Sequence, residues 1–319
     1  MRRFTETKSS NIWVLLPLVF ASCASDPETN ADPEDEGQLC EGSEAPYEPV
    51  PRGSQDFDLN LSLFLDLSDR IDSAKYPDKA MPYHERDLGY IESLGHGFAR
   101  HGRARQLRRM NERFQVFFDP PPADPEINTV ADDLKLHWTK NTVTKEDVCD
   151  LVPSIKKGSE RIYQHAMRSE DFTGSDIWNF FHERVKRSCI QPGSRNVLVI
   201  LTDGYMYAQN NKRENGTSRW SNLTAQKVRS LKLTGKNWEE LVKQHDYGFL
   251  TATEGLSDLE VIVIGVRPSD HNGAYEADVL KHFWTDWMTA MGVKRFEFVK
   301  TDLPSNVDQW LQNYVLGLN

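Results

Sequence analysis

Cysteine is scarce in this chain: 319 residues hold four, at 23, 40, 149 and 189, and no two stand in a C-x-x-C pair. That spacing excludes a thioredoxin-like redox motif and a zinc site of paired cysteines. Gly-x-Ser-x-Gly, His-Glu-x-x-His and a glycine-rich phosphate loop ending in Lys are also missing, which removes the usual serine-hydrolase, zincin and P-loop signatures. The nine histidines are scattered, and no internal repeat is evident. Positive charge is not in excess either. The net charge is −10, and the stretch from Ala24 to Asp58 sets eleven Asp and Glu against one Arg, so the remainder is near neutral. That balance argues against a nucleic-acid binder of the basic kind.

The first residues read as a targeting segment rather than as fold. "MRRFTETKSSNIWVLLPLVFASC" places Arg2, Arg3 and Lys8 before an apolar stretch from Ile12 to Phe20 that is short for a bilayer span. "FASC" resembles a bacterial lipoprotein box, with Cys23 as the lipidated residue; a plain cleaved signal or an uncleaved anchor is the alternative. Residues 24–56 are rich in Pro, Gly, Ser and carboxylates, and such a segment buries too little apolar surface to offset its ordering entropy, so an acidic tether is expected. Its acidic run close behind Cys23 is similar to the export signals of some surface lipoproteins. Together these imply a bacterial cell-envelope protein, lipid-anchored and displayed on the outer-membrane surface. Cys149 with Cys189 is the preferred disulfide, the alternative being that both are buried thiols.

Residues 57–319 suffice for one large α/β domain. "FDLNLSLFLD", "NVLVILTDG" and "LEVIVIGVRP" carry the continuous apolar runs of parallel strands covered on both faces, and "RFEFVKTD" and "RFQVFF" are further strands. "LKLHWT" is a second short strand expected to pair with the last of these. Helical periods alternate with them, including "RDLGYIESLGHGFARHGRARQLRRM", "TKEDVCDLVPSIKKGSERIYQHAMRS" with a break at Pro153, "SDIWNFFHERVKRSC" and the Trp-rich "EADVLKHFWTDWMTAMG". The alternation predicts a doubly wound, mostly parallel sheet with helices on both faces. The basic run around Arg100 to Arg109 is expected to be a solvated face, and Leu280, Trp284, Trp287, Met288 and Met291 to be core.

Two strands run into carboxylates, Leu65 into Asp66 and "VILT" into Asp203. On a parallel sheet their carboxyl ends share an edge, so both acids converge on one crevice. Ser68 lies two residues past Asp66, and "SEDFTGSD" brings Asp171, Thr173 and Asp176 to the same edge. Oxygen ligands from three loops suit a hard cation, Mg²⁺ or else Mn²⁺ or Ca²⁺.

These loops resemble a von Willebrand factor A-type (VWA) domain, whose metal-ion-dependent adhesion site (MIDAS) is written Asp-x-Ser-x-Ser, Thr and Asp. Here the first loop is Asp66-Leu67-Ser68-Asp69-Arg70, the second supplies Thr173, with Asp171 as the other candidate, and the third supplies Asp203 in "LTDG". The resemblance implies an adhesion module that binds a protein or glycan partner through a cation. A metal-dependent hydrolase using Asp66 and Asp203, or a structural module with a metal-free pseudo-site, are the alternatives. Arg70 stands where the family has its second serine, and a guanidinium repels a cation and offers no lone pair. Arg70→Ser is therefore expected to strengthen cation binding. Downstream, "GYMYAQNNKRENGTSRWSNLTAQK" starts at the same edge, and Tyr205, Tyr207 and Trp220, with Arg70, are candidates for contacting the partner.

Overall fold

The computed structural model describes residues 50, 55–78, 80–168, 172, 174–209, 212–216, 218–269, 273–301 and 303–318. The signal with Cys23, most of the tether, and Asp171 and Thr173 lie outside the described residues. Six strands form the main sheet: β1 (Asp58–Leu65), β2 (Asn111–Phe117), β3 (Leu136–Thr139), β4 (Ser194–Leu201), β5 (Leu259–Ile264) and β6 (Arg295–Val299). Their order is β6-β5-β4-β1-β2-β3, all neighbours parallel except β3, which runs antiparallel to β2. The chain is therefore α/β with a six-stranded, mostly parallel sheet. It builds outward from β1 on one side, then crosses to β4 and builds outward on the other, so the order reverses between β1 and β4.

The helices are α1 (Tyr83–Ala104), α2 (Pro125–Asp133), α3 (Lys145–Arg168), α4 (Ile177–Glu183), α5 (Val185–Cys189), α6 (Ala225–Ser230), α7 (Trp238–His245), α8 (Glu276–Ala290) and α9 (Asp308–Val315). Successive strand residues point to opposite faces, and both faces of β1 and β4 are covered. Leu59, Leu61, Leu63 and Leu65 pack with Tyr90, Leu94 and Phe98 of α1, Ile155 and Ile162 of α3 and Leu311 of α9. Phe64, Leu198 and Ile200 face the other way, onto Phe180 and Phe181 of α4 and Leu280, Trp284, Trp287 and Met288 of α8. The Trp-rich stripe is thus core, as its spacing predicts. Among the described residues no helix is long and apolar enough to cross a membrane.

Four expectations are corrected here. Helix α3 continues through Pro153, with Leu151 and Ile155 buried on either side of it. "SDIWNFFHERVKRSC" makes two short helices meeting at Arg184; Asp176 caps the first, its Oδ1 accepting from the Asn179 amide at 2.9 Å. The basic run is not a solvated face throughout. Arg105 is buried and donates to Glu112 (Nε to Oε1, 2.9 Å) and Asp58, while His101, also buried, meets Glu112 Oε2 at 2.9 Å. Cys149 and Cys189 are not a pair either. Cys189 is a free, buried thiol that packs on the α4 face of the sheet, whereas α3, which carries Cys149, packs on the opposite face. Cys149 is in a disulfide whose partner lies outside the described residues.

Candidate functional site

The site lies where β1 and β4 end side by side. Leu65 and Leu201 are register partners, and the Asp66 amide extends the ladder by donating to Leu201 O at 3.1 Å. Asp66 is thereby locked to the adjacent strand end. Its Oδ1 accepts from the Ser68 amide at 3.0 Å, which closes the first loop as an Asx turn. Its Oδ2 accepts from Thr202 Oγ1 at 2.8 Å, one residue before Asp203. Asp203 Oδ1 in turn accepts from the Tyr205 amide at 3.1 Å. The turn between them needs glycine: Gly204 has φ +99°, and a Cβ there would meet Val266 Cγ1 at 3.1 Å.

Asp66, Ser68 and Asp203, expected at one edge, come together there in the structure. It treats Arg70 differently. Arg70 is only 3 % exposed, and its guanidinium turns under the loop instead of reaching a partner or solvent. Nε donates to Asp66 O at 3.1 Å and lies 3.4 Å from Asp66 Oδ2; Nη2 donates to Asp87 Oδ2 at 2.5 Å and to Leu201 O at 3.0 Å. Asp87, on α1, also accepts from the Tyr163 hydroxyl of α3 at 2.7 Å. Burial works against the Arg70 charge, but Asp87 and Asp66 outweigh it and hold the guanidinium protonated. Burial likewise raises the Asp87 carboxyl above its usual range, opposed by Arg70 and Tyr163. Asp87 and Tyr163 went unnoticed in the sequence. The signal for Asp87 was its place at the head of the apolar stripe Tyr90, Ile91, Leu94 and Phe98, where a carboxylate needs a buried partner.

Asp66, Ser68 and Asp203 offer only oxygens, as Mg²⁺, Mn²⁺ and Ca²⁺ require. The Asp203 carboxyl is pushed up to about 7, first by burial and then by the Asp66 carboxylate, with Arg70 pulling the other way. Burial and the Asp66 carboxylate thus both disfavour the ionised form of Asp203, and Arg70 offsets part of this from beneath. Asp69 faces outward to Lys75 and Tyr76. No group of three or more His, Cys, Asp or Glu is gathered among the described residues. The donor set therefore fits a weakly held cation with much of its coordination left to water or to a partner. Asp66, Ser68 and Asp203 would hold it, and such an ion would supply a positive charge facing an anionic partner group.

Of the other recognition candidates, only Tyr207 is displayed, at 40 % exposure, with Lys212 Nζ 5.4 Å from its ring centroid. Tyr205 is half-buried and its hydroxyl is spent internally, donating to Glu276 Oε1 at 2.6 Å and accepting from the Ser269 amide at 2.9 Å. Trp220 is 3 % exposed, paired through Arg219–Trp220 with both Glu214–Asn215 and Gly248–Phe249. Arg70 and Tyr205 are thus internal supports of the site, and Trp220 is buried in its own ribbon. Tyr207–Ala208, shortly after Asp203, pairs antiparallel with Gly174–Ser175.

No family model matches the chain, and no curated protein matches it. Among solved structures, it is similar to proximal thread matrix protein 1 from the mussel byssus, at 10% identity and a TM-score of 0.34, over 82% of this chain and 46% of that one. It is also similar to the open pilus adhesin SpaC from Lactobacillus rhamnosus GG, at 10% identity and a TM-score of 0.39, over 85% of this chain and 31% of that one. The chain thus spans less than half the length of either, and likenesses this slight carry no argument about fold or partner.

Proposed function

We propose that this chain is a cell-envelope lipoprotein whose doubly wound, VWA-like domain recognises a protein or glycan partner at the crevice between Asp66 and Asp203, assisted by a weakly held divalent cation. One observation carries the reading: two carboxylates stand just past the ends of adjacent parallel strands, with Ser68 in the loop that Asp66 closes, at the reversal of strand order, where open α/β sheets bind ligands. Arg70 leaves room for it: Nη2 is drawn beneath the loop to Asp87, while Nε stays 3.4 Å from Asp66 Oδ2 and balances part of the charge a cation would meet. Asp66 is oriented by Thr202 and Ser68, and Asp203 by Tyr205, so the acids are held before any partner arrives.

The test is capture from envelope extracts by the tagged full chain, in Mg²⁺ and in chelator. A protein or glycan should be retained in Mg²⁺ and released by chelator or by Asp203→Asn. Retention indifferent to both changes would sink the reading. Anchoring is tested separately: Cys23→Ala should release the chain from membranes or leave a precursor, and unchanged membrane fractionation at mature size contradicts lipidation.

A further inference from the structure

Beside the acid pair a groove of about 470 Å³ opens between the end of β2, the start of α2 and the Gly174–Ser175 ribbon. Its walls are apolar, with Leu67, Phe118, Pro120, Ile127 and Phe172 among them. Its polar lining has one sign of charge. Asp119, Asp124 and Asp176 contribute carboxylates, and no Lys, Arg or His lines it among the described residues.

The three acids differ in what they have left to give. Asp124 is spent: it caps α2 through the Glu126 amide at 2.9 Å and meets His165 Nδ1 at 2.9 Å. Asp176 caps α4. Asp119 is 8 % exposed, and among the described residues its carboxylate receives only the Asn179 amide, at the long distances of 3.3 and 3.4 Å. Arg184, the nearby cation, donates instead to Phe118 O at 3.1 Å. The Asp119 carboxyl is pushed up to about 6, first by burial, with Asp176 adding to it against Asn179 and Arg184. A second observation is independent of charge. Ser175 is 5 % exposed, lines the same groove, and its hydroxyl has no hydrogen-bond partner among the described residues. A buried hydroxyl without a partner costs about 1–3 kcal/mol, so its partner belongs to whatever fills the space.

Each class of occupant can be weighed against this lining. An anion is repelled by three carboxylates. A neutral apolar group leaves Asp119 buried and unpaired. A bare metal ion leaves the apolar walls unused. An ammonium on an aliphatic stem answers all of these: the stem lies along Phe118, Pro120 and Ile127, and the three N–H donors reach acceptors on Asp119 and Ser175. One poorly satisfied carboxylate and one hydroxyl match a point charge better than the planar fork of arginine. The volume exceeds a single side chain, which leaves room for apolar neighbours. We propose that this groove receives a lysine side chain borne on an apolar segment of a partner protein. The proposal extends the recognition reading by naming the partner's chemistry, but it uses neither Asp66 nor Asp203.

The experiment titrates the full chain with acetyl-Leu-Lys-Leu-amide, acetyl-Leu-norleucine-Leu-amide and acetyl-Leu-Arg-Leu-amide, in chelator at pH 7.5, with amide chemical shifts mapping the contact. Working in chelator separates the groove from the cation site, so either reading can fail alone. The lysine peptide should bind about tenfold or more tightly than the norleucine peptide, shifting residues 118–122 and 175–179. Asp119→Asn, which keeps the shape and an acceptor for Asn179, should abolish that preference, and Ser175→Ala should weaken it several-fold. Equal binding of the lysine and norleucine peptides, a preference for arginine, shifts mapping elsewhere, or no binding overturns the proposal. Should Asp119→Asn fail to fold, the peptide comparison on the unaltered chain decides alone.

Discussion

Arg70 Nη2 lies 2.5 Å from Asp87 Oδ2, and both side chains are withdrawn from solvent. That pair fixes where the charge of the first loop lies. The guanidinium is drawn inward by a carboxylate on α1, Tyr163 and Leu201 O join the network, and Arg70 Nη1 is buried with no hydrogen-bond partner among the described residues. The mouth of the crevice is left to Asp66, Ser68 and Asp203.

The first prediction revises what Arg70→Ser should do. Restoring a hydroxyl also strips Asp87 of its cation inside the core, and breaking a buried pair from one side costs about 3–5 kcal/mol. Urea unfolding should show that loss for Arg70→Ser. Arg70→Met with Asp87→Asn, which keeps an acceptor for Tyr163, should recover most of it. A near-neutral Arg70→Ser contradicts the buried-pair account.

Asp119 gives a pH dependence whose sign is fixed by its raised carboxyl. Between about 4, the unfolded value, and about 6 the folded state binds more protons than the unfolded state. Its contribution to stability is therefore full below pH 4 and lost as pH rises through 6. The upper bound is about 2–3 kcal/mol. Denaturation series from pH 4 to pH 7 should show this fall in the natural chain and a flatter profile in Asp119→Asn. Parallel profiles would show that Asp119 titrates normally.

Thiol chemistry separates Cys149 from Cys189. Burial pushes the Cys189 thiol up to about 12, so it is both inaccessible and un-ionised at neutral pH. Peptide mapping without reduction should find Cys149 disulfide-linked, and Cys189 alkylated only after unfolding. A peptide joining Cys149 to Cys189 contradicts the opposite-face placement.

Much of the sheet was legible because β1, β4 and β5 are covered on both faces and so read as apolar runs, and the acids that end two of them were legible with them. What escaped depends on residues far apart in the chain. The basic run of α1 looks solvated until Glu112 and Asp58 are brought beneath it from β2 and β1. Trp220 looks displayed until Gly248–Phe249 pairs beside it. Pro153 removes one helical hydrogen bond, yet burial of Leu151 and Ile155 on either side keeps α3 whole. Arg70 was read from the loop alone, while its fate was decided by Asp87 on a neighbouring helix.

The central claim, that Asp66 and Asp203 form a working cation site above a buried Arg70, is tested most directly by Mn²⁺ titration calorimetry of the full chain at pH 7.5. Weak, single-site binding is expected in the natural chain, with a dissociation constant in the millimolar rather than the micromolar range. It should be lost in Asp66→Asn and in Asp203→Asn, with thermal melts showing both variants folded. Absence of binding in the natural chain, or binding unchanged by both substitutions, contradicts the account.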